Sequence, residues 1–237
     1  MLLSHLIDLI KSGDSNFIKA NIFEDIDINN AASLDIASKN QISFLEKDNK
    51  LKENLGRTSV SAIITFDNSQ ILDLLESKNI SNIVVENPRI AFAEVLSILY
   101  VPIIQNPSID NSAVIKKSAK IGNNCFIGPN VYIGDNTIIG NNNTISAGTT
   151  ILGNVKLGHN NIIQPNCVIY ENTHIDNNCI INSNTVIGSE GFGFIPKNGK
   201  WIKMPQKGSV IIKSFVEFGT NCCIDRPSVG HTFIDEG

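Results

Sequence analysis

Four histidines, five cysteines and a cluster of aromatic and charged residues near the end of the chain are the side chains best suited to chemistry. Histidine exchanges a proton near neutral pH, so His5, His159, His174 and His231 are the first candidates for acid–base work. His5 falls in an opening helix-like stretch, and His159 and His174 fall at outward corner positions of a repeat, where solvation is the ordinary state. His231 stands beside an irregular segment and is the one candidate base. Cys125, Cys167, Cys179, Cys222 and Cys223 form no CxxC pair and no His/Cys cluster of zinc spacing. They read as small core residues, and neither a metal nor a cofactor is expected. Asp225 and Arg226 directly follow an apolar residue, and an internal ion pair suits them better than catalysis. Phe192 and Phe194, set among Gly191 and Gly193, form the kind of aromatic–glycine segment that walls a binding site or pins a loop. Lys203 and Lys207 stand close by.

These residues need a scaffold. At 237 residues the chain is long enough for one large domain or two modest ones. Apolar residues make up 42% and the formal net charge is −4, which leaves no basic face for a nucleic acid. The short apolar stretch over residues 1–12 is interrupted by His5 and Asp8 and lacks a basic start, so it opens a helix and is not a signal peptide. No run approaches the roughly 18 apolar residues of a membrane span, and a cytoplasmic location is expected.

Two grammars divide the sequence. Residues 1–105 read as a small α/β domain and linker. Helical apolar spacing covers 2–10, 71–77 and 89–99, and strand-like runs cover 42–45, 60–66 and 80–85. Asn87 and Pro88 supply a cap and a first-turn proline for the last helix. Pro102 and Pro107 mark a linker.

Over residues 106–237 the period is six. Ile109, Ile115, Ile121, Ile127, Ile133, Ile139, Ile145, Ile151, Leu157, Ile163, Ile169, Ile175, Ile181 and Ile187 follow one another without a slip. Random placement at 42% apolar content gives such a run on the order of once in 10^5 trials. A fixed period of six excludes an α-helix and marks a parallel β-helix, one flat strand and one corner per hexapeptide. The aliphatic residue should face inward and stack on neighbours roughly 4.8 Å away. The residue two before it is small (Ala113, Cys125, Thr137, Asn143, Cys167) and should face in beside the corner. Glycine often follows the aliphatic residue, and glycine and asparagine are expected to supply the corners' special dihedrals. The phase breaks over 189–209, which must leave the prism as a loop, and such loops are more often functional than accidental. It resumes at Ile212, Phe218 and Ile224, and a second excursion around 226–231 precedes Ile234.

The segments SEGFGF from Ser189, WIKMPQKGSVII from Trp201, then VEFG and CCIDR, resemble the UDP-3-O-(3-hydroxyacyl)-glucosamine N-acyltransferases of lipid A synthesis. ISFL at 42–45 and NPRIAFAEVL at 87–96 fit that family's uridine-binding domain, so the similarity covers nearly the whole chain. The resemblance implies a left-handed hand for the β-helix and a C3 homotrimer with active sites in clefts between neighbouring prisms. It also implies an acyl-carrier protein as donor and, as acceptor, the 2-amino group of a 3-O-acylated UDP-glucosamine. Lys203 and Lys207 could then face the carrier's acidic surface. Phe44 matches an aromatic residue that stacks on uracil, and it reads equally as core on a short strand. Asn49 and Lys50 are the nearest matches to the family's uracil-bonding segment, but Leu51 stands where a tyrosine belongs. The family's catalytic histidine lies in an I-x-H-N segment about eleven residues beyond the position of Gly237, so the sequence is expected to stop mid-solenoid before its base.

Rival readings are another hexapeptide-repeat sugar acyl- or acetyltransferase, a carbonic anhydrase on the same fold, or a truncated, non-catalytic remnant. The first lacks the uridine-binding domain and the W-x-K-x-P-Q loop. The second needs three histidines from neighbouring coils, an arrangement His159 and His174 do not make.

Overall fold

The computed structural model of the chain describes residues 1–46, 58–100 and 105–237. Asn49, Lys50 and Leu51, and the linker residue Pro102, lie outside the described residues. The chain divides into two compact units, Met1–Ile103 and Ile104–Gly237.

The first unit is built on a five-stranded sheet. Its strands are β1 (Phe17–Asn21), β2 (Asn30–Ala31), β3 (Gln41–Phe44), β4 (Ala62–Thr65) and β5 (Ser81–Val85), ordered β1-β5-β4-β3-β2. β1 runs antiparallel to β5, and the other pairings are parallel. Every residue of β4 and β5 is buried, because helices cover both faces. Helices α1 (Leu3–Lys11) and α3 (Pro88–Leu99) pack Leu3, Leu6, Ala91 and Val95 against Ile42, Ile64 and Ile83. Helix α2 (Ser69–Ser77) packs Ile71 and Leu75 against Ile63 on the other face. The Asn87 side chain caps α3 by accepting from the Ile90 N–H at 3.2 Å, with Pro88 in the first turn. Two strands, β1 and β2, escaped the pattern reading. β1 is a half-exposed edge carrying Lys19, and β2 has only two residues, so neither shows apolar alternation.

The second unit is a parallel β-helix. Up to Ile187 the strands pair with strands 18 residues away, and across the first excursion the spacing becomes 37, as between Ile181 and Phe218, in three six-stranded parallel sheets. The sixth-residue column is the core: Ile127, Ile133, Ile145, Ile163 and Ile187 are fully buried. The column two residues earlier is buried too, from Cys125 to Thr185. Size is only half its explanation. Thr137 Oγ1 donates to Leu152 O (2.7 Å), Asn143 Nδ2 to Gly158 O (2.8 Å) and Cys167 Sγ to Asn182 O (3.3 Å), each 15 residues ahead. Where the column carries a donor it satisfies a buried corner carbonyl, while Val131 and Val155 fill their places by size alone. Among the column's donors the Thr173 hydroxyl has no partner, and position 188 opposite it is Gly188 at φ 86°, where the sheet register shifts.

The corners divide labour in a way the sequence reading missed. Asparagine alone supplies most left-handed residues, at Asn124, Asn130, Asn136, Asn142, Asn154, Asn160, Asn166, Asn172, Asn178 and Asn184, with Gly148 taking one turn. The glycines after the aliphatic column, Gly188 apart, do not have positive φ. They provide clearance instead: a Cβ at Gly140 would lie 2.5 Å from Gly158 O of the adjoining coil. Phe215 breaks the asparagine column at φ 64° and is exposed.

The first excursion is more ordered than a loop. Val186–Glu190 continues a prism strand, then Phe194–Lys197 and Lys200–Lys203 pair as an antiparallel hairpin. Asn198 (φ 50°) and Gly199 (φ 71°) make its two-residue turn. The Asn-Gly dipeptide is a strong hairpin signal of the kind whose twist matches its strands, and it lies within the stretch where the six-residue period breaks. The prism then resumes in phase, with Ile212 on Ile175 and Phe218 on Ile181. No helix among the described residues is long and apolar enough to cross a membrane.

Candidate functional site

Phe44 is the last residue of β3, at the carboxyl edge of the parallel strands, where open α/β sheets hold ligands. Alternation along β3 points Ile42 and Phe44 to the α1/α3 face, and Phe44 is only partly buried there. Its ring stacks on Phe92 of α3, with centroids 4.6 Å apart and planes inclined by 27°. Nearby, Arg89 Nη2 donates to Glu46 Oε2 at 2.7 Å in an exposed pair. The two readings of Phe44 thus meet in one residue: part of the ring is core packing and part remains accessible.

Phe192 and Phe194 lie at the base of the hairpin, with ring centroids 5.1 Å apart and planes at 47°. Phe192 is 94% exposed and Trp201 70%, and together with Phe194 they line a shallow, almost wholly apolar hollow. From the motif alone Trp201 has no place in a site. It reaches the hollow because the hairpin register sets Pro196 opposite Trp201 and Phe194 opposite Lys203. At the hairpin root, Met204 N–H donates to Gly193 O (2.8 Å), and buried Gln206 donates through Nε2 to Met204 O (2.9 Å). The P-Q of the motif is thus a clasp at the base of the excursion. Lys203 is ion-paired with Glu190, so its charge is engaged within the hairpin root.

The two excursions are bonded to each other. Lys207 N–H donates to Ser228 O, Gly208 N–H to Pro227 O and Ser209 N–H to Gly230 O. Gly208 is obligatory there, since a Cβ would sit 2.5 Å from Gly230 O. Arg226 lies at this junction, 8% exposed, with Nη1 2.7 Å from Glu171 and Nη2 3.9 Å from Glu190. Asp225 instead accepts from the Ser189 hydroxyl at 2.5 Å. The ion pair expected at Asp225–Arg226 is therefore made by Arg226 with the prism corner and the hairpin root. The Arg226 hydrogen bond holds the Glu171 carboxyl below its usual range, and Lys203 does the same for Glu190.

His231 Nδ1 lies 2.7 Å from Ser209 Oγ on the outer surface. His159 Nδ1 accepts from the Asn141 N–H at 2.9 Å, continuing the corner ladder. His174 is on a strand, not a corner, with Nε2 3.3 Å from Asp176. Among the described residues no group of three His, Cys, Asp or Glu could hold a metal. Cys125, Cys167 and Cys179 are buried, and burial pushes the thiols of Cys167 and Cys179 up.

A UDP-3-O-acylglucosamine N-acyltransferase of Prochlorococcus marinus (strain MIT 9515) is 82% identical over all 237 residues, which span 69% of that relative. The chain belongs to the UDP-3-O-acylglucosamine N-acyltransferase family. A second relative of that name, from P. marinus subsp. pastoris, is 83% identical over the same span, and one from Synechococcus sp. (strain WH7803) is 43% identical. Residues 25–98 match the family model for UDP-3-O-(3-hydroxymyristoyl) glucosamine N-acyltransferase, LpxD, and residues 109–191 match that of the GMPPB C-terminal domain. The first match falls on the unit carrying Phe44, and the second ends at Gly191, before the aromatic hairpin. A solved structure of LpxA, a UDP-N-acetylglucosamine acyltransferase from Bacteroides fragilis 9343, is similar at 28% identity over 55% of this chain and 56% of that one, with a TM-score of 0.35.

Proposed function

We propose that the chain acts in the cytoplasm to move a 3-hydroxyacyl group from acyl-carrier protein to the 2-amino group of UDP-3-O-(3-hydroxyacyl)-glucosamine. The amine nitrogen attacks the thioester carbonyl, the C–N bond forms, the C–S bond breaks, and the carrier leaves as thiol with the proton. The observation that carries this reading is 82% identity, over the whole chain, to a relative named for such an activity. Phe44 would stack on uracil, with Asn49 and Lys50 as its polar neighbours. Phe192 and Phe194, joined by Trp201, would wall the acyl chain, for which an apolar hollow is the right chemistry.

Assembly as a homotrimer is supported by the prism's outward faces. One carries half-buried Phe126, Thr144, Ile162 and Ile180, and a second Tyr132, Thr150, Val168 and Val186. The third carries exposed Lys120, Lys156 and His174, with exposed Ile138 between the two lysines. Two adjacent apolar faces favour burial against other copies, and charge on the third favours water.

For the base, the primary reading places no catalytic residue within this chain, and His231 is the alternative, its imidazole oriented by Ser209. Amide formation from acyl-carrier thioester, followed by mass spectrometry, tests both readings on this chain and on one lengthened to the span of its relatives. Transfer only by the longer form supports the primary reading. Transfer by the 237-residue chain that disappears in His231→Ala makes His231 the base. Failure of both forms with this acceptor overturns the substrate assignment.

A further inference from the structure

We infer that Phe92 is a positioning residue for pyrimidine binding, holding the Phe44 ring in the attitude that receives a uracil. This rests on the proposed stacking role of Phe44. Phe44 ends β3 with its backbone held, since Leu45 N–H donates to Ile64 O at 2.8 Å. Its ring is only partly buried, and a phenyl group without a further contact there would lose rotamer freedom when a base stacked on it. Phe92 removes that cost beforehand. It rises from α3 between buried Ala91 and buried Val95, one turn into a helix whose start is fixed by the Asn87 cap and Pro88. From that rigid base its ring covers Phe44 at 4.6 Å and 27°, an offset stack that aromatic quadrupoles favour. Both rings remain only partly buried, so a planar ligand that stacks on Phe44 extends a pair into a three-ring stack.

The probe is UDP-N-acetylglucosamine, titrated into the intact chain by calorimetry, with the ring-current shift of the uracil H5 and H6 protons read by NMR. Phe92→Leu keeps an apolar contact with the core but removes the ring. It should raise Kd by about three- to tenfold and shrink the upfield shift, as expected for one aromatic pair. Phe92→Tyr should restore both to near the original values, and Phe92→Met serves if the leucine variant folds poorly. A purely structural role would lower the melting temperature without changing the uracil shift. Phe92→Leu binding as tightly as the parent, while Phe44→Ala binds weakly, would overturn the role of Phe92. Loss of binding in Phe92→Tyr as large as in Phe92→Leu would overturn it too. If Phe44→Ala itself leaves affinity and shift unchanged, the uracil-stacking reading fails, and that outcome is distinct from the other two.

Discussion

Replacing Gly140 with alanine should destabilise the prism, although glycine-to-alanine exchange in a compatible backbone ordinarily stabilises by about 0.4–1 kcal/mol. Gly140 does not have positive φ, so its backbone would accept a side chain. The obstacle is the adjoining coil: the new methyl would lie 2.5 Å from Gly158 O, 2.8 Å from Gly158 C and 2.9 Å from His159 Nδ1. The carbonyl cannot swing aside, because Asn143 Nδ2 donates to it at 2.8 Å and Gly140 N–H is itself bonded to Leu157 O at 2.8 Å. The coils must part by several tenths of an ångström, loosening ladder bonds on both sides, and overpacking of this kind costs about 1–3 kcal/mol. For a unit of this size that is a fall of roughly 3–10 °C in melting temperature. Gly219→Ala is the control: it too lacks positive φ, and its Cβ would meet only Cys222 Sγ, at 3.9 Å. It should be neutral or slightly stabilising. Differential scanning calorimetry of the two variants decides the matter, and a Gly140→Ala protein as stable as Gly219→Ala would refute the clearance argument.

Phe215→Asn should stabilise by about 1 kcal/mol, because Phe215 holds a left-handed φ of 64° that asparagine adopts more readily and its exposed ring gives up little burial; urea unfolding that shows a loss instead would mean the ring packs on something in solution. Trp201 is the chain's sole tryptophan and lies on the hairpin, so acrylamide quenching of its fluorescence reports the excursion alone. The Glu171 and Glu190 carboxyls are held below the ordinary value of 4.5, so the contribution of their pairs with Arg226 and Lys203 is fully present above pH 4.5 and fades as pH falls through the lowered values. Quenching should be constant above pH 4.5 and rise only as pH falls below it; a rise already complete above pH 4.5 would refute the role of these two pairs.

The unbroken six-residue period determined the prism by itself, because a strand-and-corner unit that repeats identically can bury its aliphatic residue in only one way. The helices over 69–77 and 88–99 were equally legible, since apolar spacing and the Asn87–Pro88 cap act within a few residues. Family membership was legible from SEGFGF, WIKMPQ and CCIDR, where residue identities are specified more tightly than packing requires. What the sequence left open depends on partners distant along the chain. Whether a glycine serves a dihedral or a clearance is decided by the coil 18 residues away, as at Gly140 and Gly158. That Arg226 pairs with Glu171 and Glu190 and not with Asp225 is decided by how two excursions meet at one corner. That Phe44 is both packed and accessible is decided by Phe92, 48 positions further on, which no local pattern at β3 announces. Short-range order follows from backbone preference and periodicity, which each residue carries with it. The attitude of a side chain in a site follows from contacts that exist only once the chain has closed on itself.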